Sequence, residues 1–151
     1  IHTLKKERSI MPLGLKRNEV KITPHDNKWV NEFQKVKKNL LKQTTLKDHQ
    51  IEHIGSTAIK DIHAKPVRDF LVGVQSIDNN LTQLEKELRS CGFYLLRVER
   101  PNEIVFARFI DKSFEVKTHY IHLTNYQDKF WNDLIYFRNY LNENEAARKE
   151  Y

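Results

Sequence analysis

The alternation of apolar periods along this sequence predicts an α+β domain built on a short mixed β-sheet flanked by helices. Three observations carry that prediction. Trp29, Phe33, Val36 and Leu40 recur at helical spacing, whereas residues 67–74 form a branched and aromatic run after a proline, as a strand does. After Gly92 three strand-like runs, 93–98, 104–110 and 114–123, follow closely, and the short polar gaps between them suit an antiparallel meander.

Residues 1–18 show no periodic pattern and read as a flexible N-terminal extension, which leaves 19–151 as one domain. Residues 19–22 suit a short edge strand, and Thr23-Pro24-His25-Asp26 offers a turn with a helix-capping aspartate. The stripe from Trp29 to Leu40 is then the core side of a first helix. Residues 51–54 form a short strand that runs into Gly55-Ser56. In the strand 67–74, side chains of Val67, Asp69, Leu71 and Gly73 share one face, and those of Arg68, Phe70, Val72 and Val74 the other. A second helix follows, with Ser76 or Asp78 as cap, Leu81, Leu84, Leu88 and Cys91 on one side, and Gly92 as terminator. The last helix is expected over 128–141, burying Phe130, Leu134, Phe137 and Leu141, and the charged segment 145–151 is helix-prone.

At 151 residues and 39% hydrophobic, the chain can bury one core and is too short for two well-stabilised ones. One cysteine, Cys91, excludes an internal disulfide framework and fits a reducing compartment. No apolar stretch approaches the roughly 20 residues of a membrane span, and an apolar signal core is not seen near the N-terminus. A cytoplasmic protein is the expectation. The net charge of +6 is uneven, for residues 1–50 hold twelve Lys or Arg against five Asp or Glu. Lys35, Lys37, Lys38 and Lys42 lie on a helix whose other side is apolar, so a solvated face explains them better than nucleic acid does.

Chemistry concentrates in three places. Gly55 lets backbone approach a ligand, and Ser56 and Thr57 supply hydroxyls beside exposed amides that can hold a phosphate oxygen. Asp69 sits in a strand otherwise fit for complete burial, so its carboxylate must meet a metal, hydrogen-bond donors or a cation such as Lys65, Lys117 or an arginine. In Lys117-Thr118-His119-Tyr120-Ile121-His122-Leu123 the two histidines point to opposite faces of a regular strand, which disfavours a two-histidine metal site. No H-E-x-x-H or paired C-x-x-C points to zinc.

Five blocks, in order, resemble the GrpB family, bacterial proteins of the nucleotidyltransferase superfamily. They are Val20-Lys21-Ile22-Thr23-Pro24-His25-Asp26 with Trp29 and Phe33; His53-Ile54-Gly55-Ser56-Thr57-Ala58-Ile59; Ala64-Lys65-Pro66-Val67-Arg68-Asp69-Phe70-Leu71-Val72-Gly73-Val74; Thr118-His119-Tyr120-Ile121-His122-Leu123; and Phe137-Arg138-Asn139-Tyr140-Leu141. The resemblance implies a nucleotidyltransferase-like fold with Gly55-Ser56 at the mouth of a cleft. In active members of the superfamily a Gly-Ser turn holds the triphosphate, and a D-x-D or D-x-E pair on the following strand binds magnesium. Asp69 matches the first carboxylate, but the second position is Leu71, which cannot bind a metal. Glu103 and Glu115 are available as a carboxylate from a neighbouring strand.

Two functions are carried forward. The first is a nucleotidyl or phosphoryl transferase using Mg²⁺ or Mn²⁺ at Asp69. In it Gly55, Ser56, Thr57, Lys65 and Lys117 face phosphates, and His119 or His122 serves as proton shuttle or ligand. The second is a catalytically degenerate binder of a nucleotide or other phosphorylated small molecule. A coenzyme-A precursor enters that class because some GrpB-like domains are fused to dephospho-CoA kinase, although this chain has no G-x-x-x-x-G-K of its own. RNA binding by the basic N-terminal third ranks last.

Overall fold

Backbone pairing gathers the strands into one mixed sheet. The computed structural model describes residues 15–16, 28–60, 67–79, 81–96 and 103–150. The elements are β1 (Leu15–Lys16), α1 (Lys28–Gln43), β2 (Ile51–Ile54), β3 (Arg68–Val74), α2 (Leu81–Ser90), β4 (Phe93–Leu95), β5 (Ile104–Phe109), β6 (Val116–Asn125), α3 (Lys129–Glu143) and α4 (Glu145–Glu150), with single 3₁₀ turns at Asp48–Gln50 and Ser56–Ala58. The strand order is β2-β3-β6-β5-β4. The central β3 and β6 run parallel, and the other pairs are antiparallel. β1, inside the stretch expected to be an extension, pairs with Val116 and Lys117 of β6. The strand and turn expected over 19–26 lie outside the described residues.

The alternation read in 67–74 decides what each face of the sheet does. Phe70 and Val72 of β3 join Ile51, Phe93, Phe106, Ile121 and Leu123 in the main core, which α1 covers with Phe33, Val36 and Leu40 and α2 with Leu84 and Leu88. Trp29 of the same stripe is buried too. The opposite polar side of α1 carries exposed Lys35, Lys38 and Lys42, as a solvated face would. Cys91 is buried in that core, and Gly92 ends the α2 region in a left-handed conformation, φ +87°. Ser76 and Asp78 do not cap α2. They lie in the turn ahead of it, where Ser76 Oγ accepts the Asp78 amide at 3.3 Å.

α3 covers the other face, and here the pattern differs from expectation. Its first turn is capped by Asp128, whose Oδ1 accepts from the Trp131 amide at 2.9 Å. Trp131 and Leu141 are buried, Leu134 and Ile135 partly so, and Phe137 is 46% exposed. Phe130, Leu134 and Leu141 thus lie on the packed side as expected, Phe137 does not, and Trp131 is the buried residue the pattern did not name. Trp131 is admitted by Gly73: a Cβ there would lie 2.8 Å from Trp131 Cζ3, so the bare backbone makes room for the indole. Trp131 then packs with Ile54 and Leu71 in a second apolar cluster. Among the described residues no helix is long and apolar enough to cross a membrane.

Candidate functional site

The end of β2 brings the Gly-Ser turn directly onto Asp69. Ile54 pairs with Asp69 across β2 and β3. The next residue, Gly55, has φ +77° and ψ −176°, a region only glycine occupies without strain. A Cβ on it would collide with Asp69 Oδ2 and stand 3.0 Å from Asp69 Cγ. Ser56–Ala58 then closes as a 3₁₀ turn through Ala58 N to Gly55 O at 3.0 Å and Ile59 N to Ser56 O at 3.1 Å. The first amides of such a turn have no acceptor within it, which is how a turn offers donors to an anion. Ser56 is half-buried at the turn's start. Thr57, expected to face a phosphate, is 1% exposed instead, and its hydroxyl shares a 2.9 Å hydrogen bond with His53 Nε2. That histidine is itself stacked on Phe33, with ring centroids 4.5 Å apart.

α3 holds both limbs of this turn, a role the sequence did not reveal. Arg138 Nη1 donates to Glu52 Oε1 at 2.7 Å and to the His53 carbonyl at 3.0 Å. One turn later Asn142 donates through Nδ2 to the Ala58 carbonyl at 3.1 Å and accepts the Lys60 amide on Oδ1 at 2.9 Å. The available signal was the block Phe137 to Leu141, which suggested resemblance without a role. Asn142→Ala is expected to cost about 1–2 kcal/mol for two lost hydrogen bonds. Asn142→Asp keeps the acceptor for Lys60 but turns a carboxylate oxygen onto the Ala58 carbonyl, so it should cost at least as much, and equal urea midpoints for both variants and the parent protein would contradict the clamp.

On the α3 face of the sheet three ionisable side chains form a continuous line. His122 Nε2 is 3.1 Å from Asp69 Oδ1, and Nδ1 is 2.9 Å from Glu103 Oε2. Exposures are 2% for Asp69, 3% for His122 and 5% for Glu103. An ionised carboxylate only accepts, so between two of them both ring nitrogens donate and the arrangement favours the imidazolium form. Burial by itself would lower the His122 pKa, but hydrogen bonds to Asp69 and Glu103, and their charges, outweigh it and raise the pKa to about 9. Tyr120 stands opposite Asp69 in the β3–β6 register. Its phenol is pushed up to about 12 by burial and by the Asp69 charge.

The remaining predicted positions separate. His119 points to the opposite face, as the strand alternation requires, with its ring centroid 6.0 Å from Phe70 and 6.2 Å from Phe93. Burial and the guanidinium groups of Arg108 and Arg68 lower its pKa to about 3, so it is neutral at physiological pH. A shared role with Asp69 as proton shuttle or metal ligand is thereby corrected: the sheet lies between them. Of the two candidate glutamates, Glu103 joins His122, whereas Glu115 is exposed ahead of β6. Lys117 has its ammonium 6.0 Å from the Phe109 ring centroid. Lys65 lies outside the described residues.

The donor set does not fit the superfamily's paired-carboxylate metal site. Leu71, where the second carboxylate would stand, is fully buried against Ile54 and Trp131. Asp69 and Glu103 each give an oxygen to His122. Among the described residues no group of three or more His, Cys, Asp or Glu side chains has a geometry that could hold a metal ion.

Comparison with known proteins agrees with this architecture. The profile of the family described as GrpB protein matches residues 19–151. The chain is 40% identical over 140 residues to glutamate-rich protein GrpB of Alkalihalophilus pseudofirmus, covering 92% of this chain and 80% of that protein. It is 28% identical over 135 residues to the UPF0157 protein YqkA of Bacillus subtilis, covering 89% of this chain and 38% of that one. Among solved structures, GrpB from Enterococcus faecalis superposes with a TM-score of 0.73 at 28% identity, over 87% of this chain and 78% of that chain. The Cid1 poly(U) polymerase gives a TM-score of 0.53 at 15% identity, over 84% of this chain and 40% of that chain, a likeness of fold alone.

Proposed function

Because the chain belongs to the GrpB family and has a nucleotidyltransferase-like fold, we propose that it binds a nucleotide or other phosphorylated small molecule at the Gly55-Ser56 turn without two-metal chemistry. One observation carries this reading: the second acidic position is Leu71, packed under Trp131, while Asp69 is hydrogen-bonded to His122. The turn supplies backbone amides and the Ser56 hydroxyl, groups that recognise a phosphate without a metal. Lys65 is the cation assigned to the phosphate in this reading. A cytoplasmic setting, where such metabolites are held, belongs to it as well.

Isothermal titration with nucleotides and phosphorylated metabolites, in Mg²⁺ and in EDTA, tests the proposal. A nucleotide heads the panel because the Cid1 structure is described with Mg 3′-dATP bound. Binding is expected to survive EDTA and Asp69→Asn but to be lost in Ser56→Asp, which sets a negative charge against the phosphate. The second reading is a one-metal transferase using Mg²⁺ or Mn²⁺ at Asp69, and Asp69 Oδ2 packed against Gly55 favours it. Binding that requires the divalent ion and disappears in Asp69→Asn would establish that reading and overturn the first.

A further inference from the structure

We infer that the cavity at the carboxyl end of β3 is a second binding site, for a neutral flat ring that carries an amide edge, as a pyrimidine base or nicotinamide does. Its volume is about 190 Å³, below the roughly 300–1,000 Å³ of sites for drug-sized ligands, so a single ring is the fitting occupant. The site is separate from the Gly55-Ser56 turn. Asp69, beside that turn, and Val74, in the cavity wall, are five residues apart on β3, or about 17 Å along the strand.

The walls are held from three directions. Gln50 Nε2 donates to the Gly73 carbonyl at 2.9 Å while its Oε1 accepts the Lys47 amide at 2.8 Å, which fixes the turn before β2. The loop after β3 is tied to the end of β6, where the Tyr126 amide donates to the Val74 carbonyl and Asn125 Oδ1 accepts the Ile77 amide, both at 2.8 Å. From α2, Glu87 Oε1 accepts the Thr45 amide at 3.1 Å and its hydroxyl at 3.2 Å, and Oε2 accepts Gln83 Nε2 at 3.2 Å. A crevice outside the carboxyl ends of parallel strands, here β3 and β6, is also where open α/β sheets hold ligands.

The lining decides the chemistry. Leu46 and Leu84, 4% and 8% exposed, and Val74 supply the apolar part. No lining side chain is ionisable, so the cavity offers no counter-charge to a phosphate or carboxylate, and the adjacent Glu87 opposes one. Its polar groups are carboxamides and hydroxyls. Gln83 commits its amide nitrogen to Glu87 and keeps Oε1 as an acceptor; Ser76 Oγ accepts the Asp78 amide at 3.3 Å and keeps its proton as a donor. The carboxamides of Gln75 and Asn79, each able to donate and accept, make no hydrogen bond among the described residues. Donors and acceptors side by side against an apolar wall match the adjacent N–H and C=O of an amide edge.

The test titrates the ¹⁵N-labelled full chain with uracil, nicotinamide and benzoate, the last a charged ring of similar size, and follows amide chemical shifts. Uracil or nicotinamide should shift residues 45–50, 74–79 and 81–84 with a Kd of about 1 mM, as a single ring allows, and benzoate should not. Which neutral ring binds more tightly separates a base from a ring carboxamide as the source of the edge. Gln75→Ala combined with Asn79→Ala should weaken binding about tenfold. Both side chains are exposed, so the double variant should keep the parent Tm. Ser56→Asp should leave these shifts unchanged, which separates failure here from failure at the phosphate turn. No response to either neutral ring at about 20 mM, an equal response to benzoate, or an unchanged Kd in the double variant overturns the inference.

Discussion

Gly55→Ala is expected to destabilise the domain by about 3 kcal/mol, or roughly 10 °C in Tm for a chain of this size. Two independent costs add. The backbone at φ +77° and ψ −176° suits glycine, and any Cβ there costs of order 1–3 kcal/mol before it touches anything. The new methyl group would then collide with Asp69 Oδ2. Relief requires moving the carboxylate, which disturbs its 3.1 Å contact with His122 and uncovers charge in an enclosed place. Ser56→Ala, one residue on, changes neither backbone nor packing and should leave the urea midpoint within about 0.5 kcal/mol of the parent protein. Equal unfolding of Gly55→Ala and the parent would mean that the turn does not rest on Asp69 in solution.

This contact also shows which parts of the site were legible in the sequence. A period of two assigned Asp69 and Leu71 to one face and Phe70 and Val72 to the other, and it separated His119 from His122. Those are local consequences of strand geometry. The partner of Asp69 was not legible, because His122 is 53 residues away in sequence and reaches it through strand order and register. Lysines and arginines were the expected ion-pair partners, while His119 or His122 and a carboxylate such as Glu103 were expected near Asp69 as metal ligands or a proton shuttle; the direct line Asp69–His122–Glu103 was not specified. Glu103 closed a charged run that reads as a polar loop, although it is 5% exposed. In α3 the one misplaced residue, Phe137, has a different origin. Phe130, Trp131, Ile135, Tyr136, Phe137 and Tyr140 place apolar area all round the helix, so periodicity gives little contrast. Contacts from outside the helix, the bare Gly73 backbone beneath Trp131 and the Arg138 bond to Glu52, bring Trp131 and Arg138 to the sheet side.

Stability should peak near pH 6.5 and fall on both sides, with a different histidine governing each limb. His122 has a folded pKa of about 9 against an ordinary 6.5. Between those values the unfolded chain has released the proton that the folded chain keeps, so stability declines as pH rises. The contribution is complete below pH 6.5 and lost through pH 9, amounting to about 3 kcal/mol. Asp69, Glu103 and Tyr120 face the ring and set this limb; Tyr120, raised to about 12, extends the decline above pH 10. His119 has the opposite sign. Its folded pKa is about 3, so between pH 3 and 6.5 the unfolded chain binds a proton that the folded chain refuses, and stability falls on acidification. Arg68 and Arg108 face that ring, and Phe70 and Phe93 enclose it. Urea midpoints across this range provide the check. His119→Phe, which suits the aromatic surroundings, should flatten the acid limb and leave the alkaline one in place, because carboxylates alone then titrate below pH 6.5. His122→Gln should remove the decline between pH 6.5 and 9 while lowering stability at pH 6.5. A parent profile that is flat from pH 6.5 to 9 would show that His122 is not held as a cation between its two carboxylates.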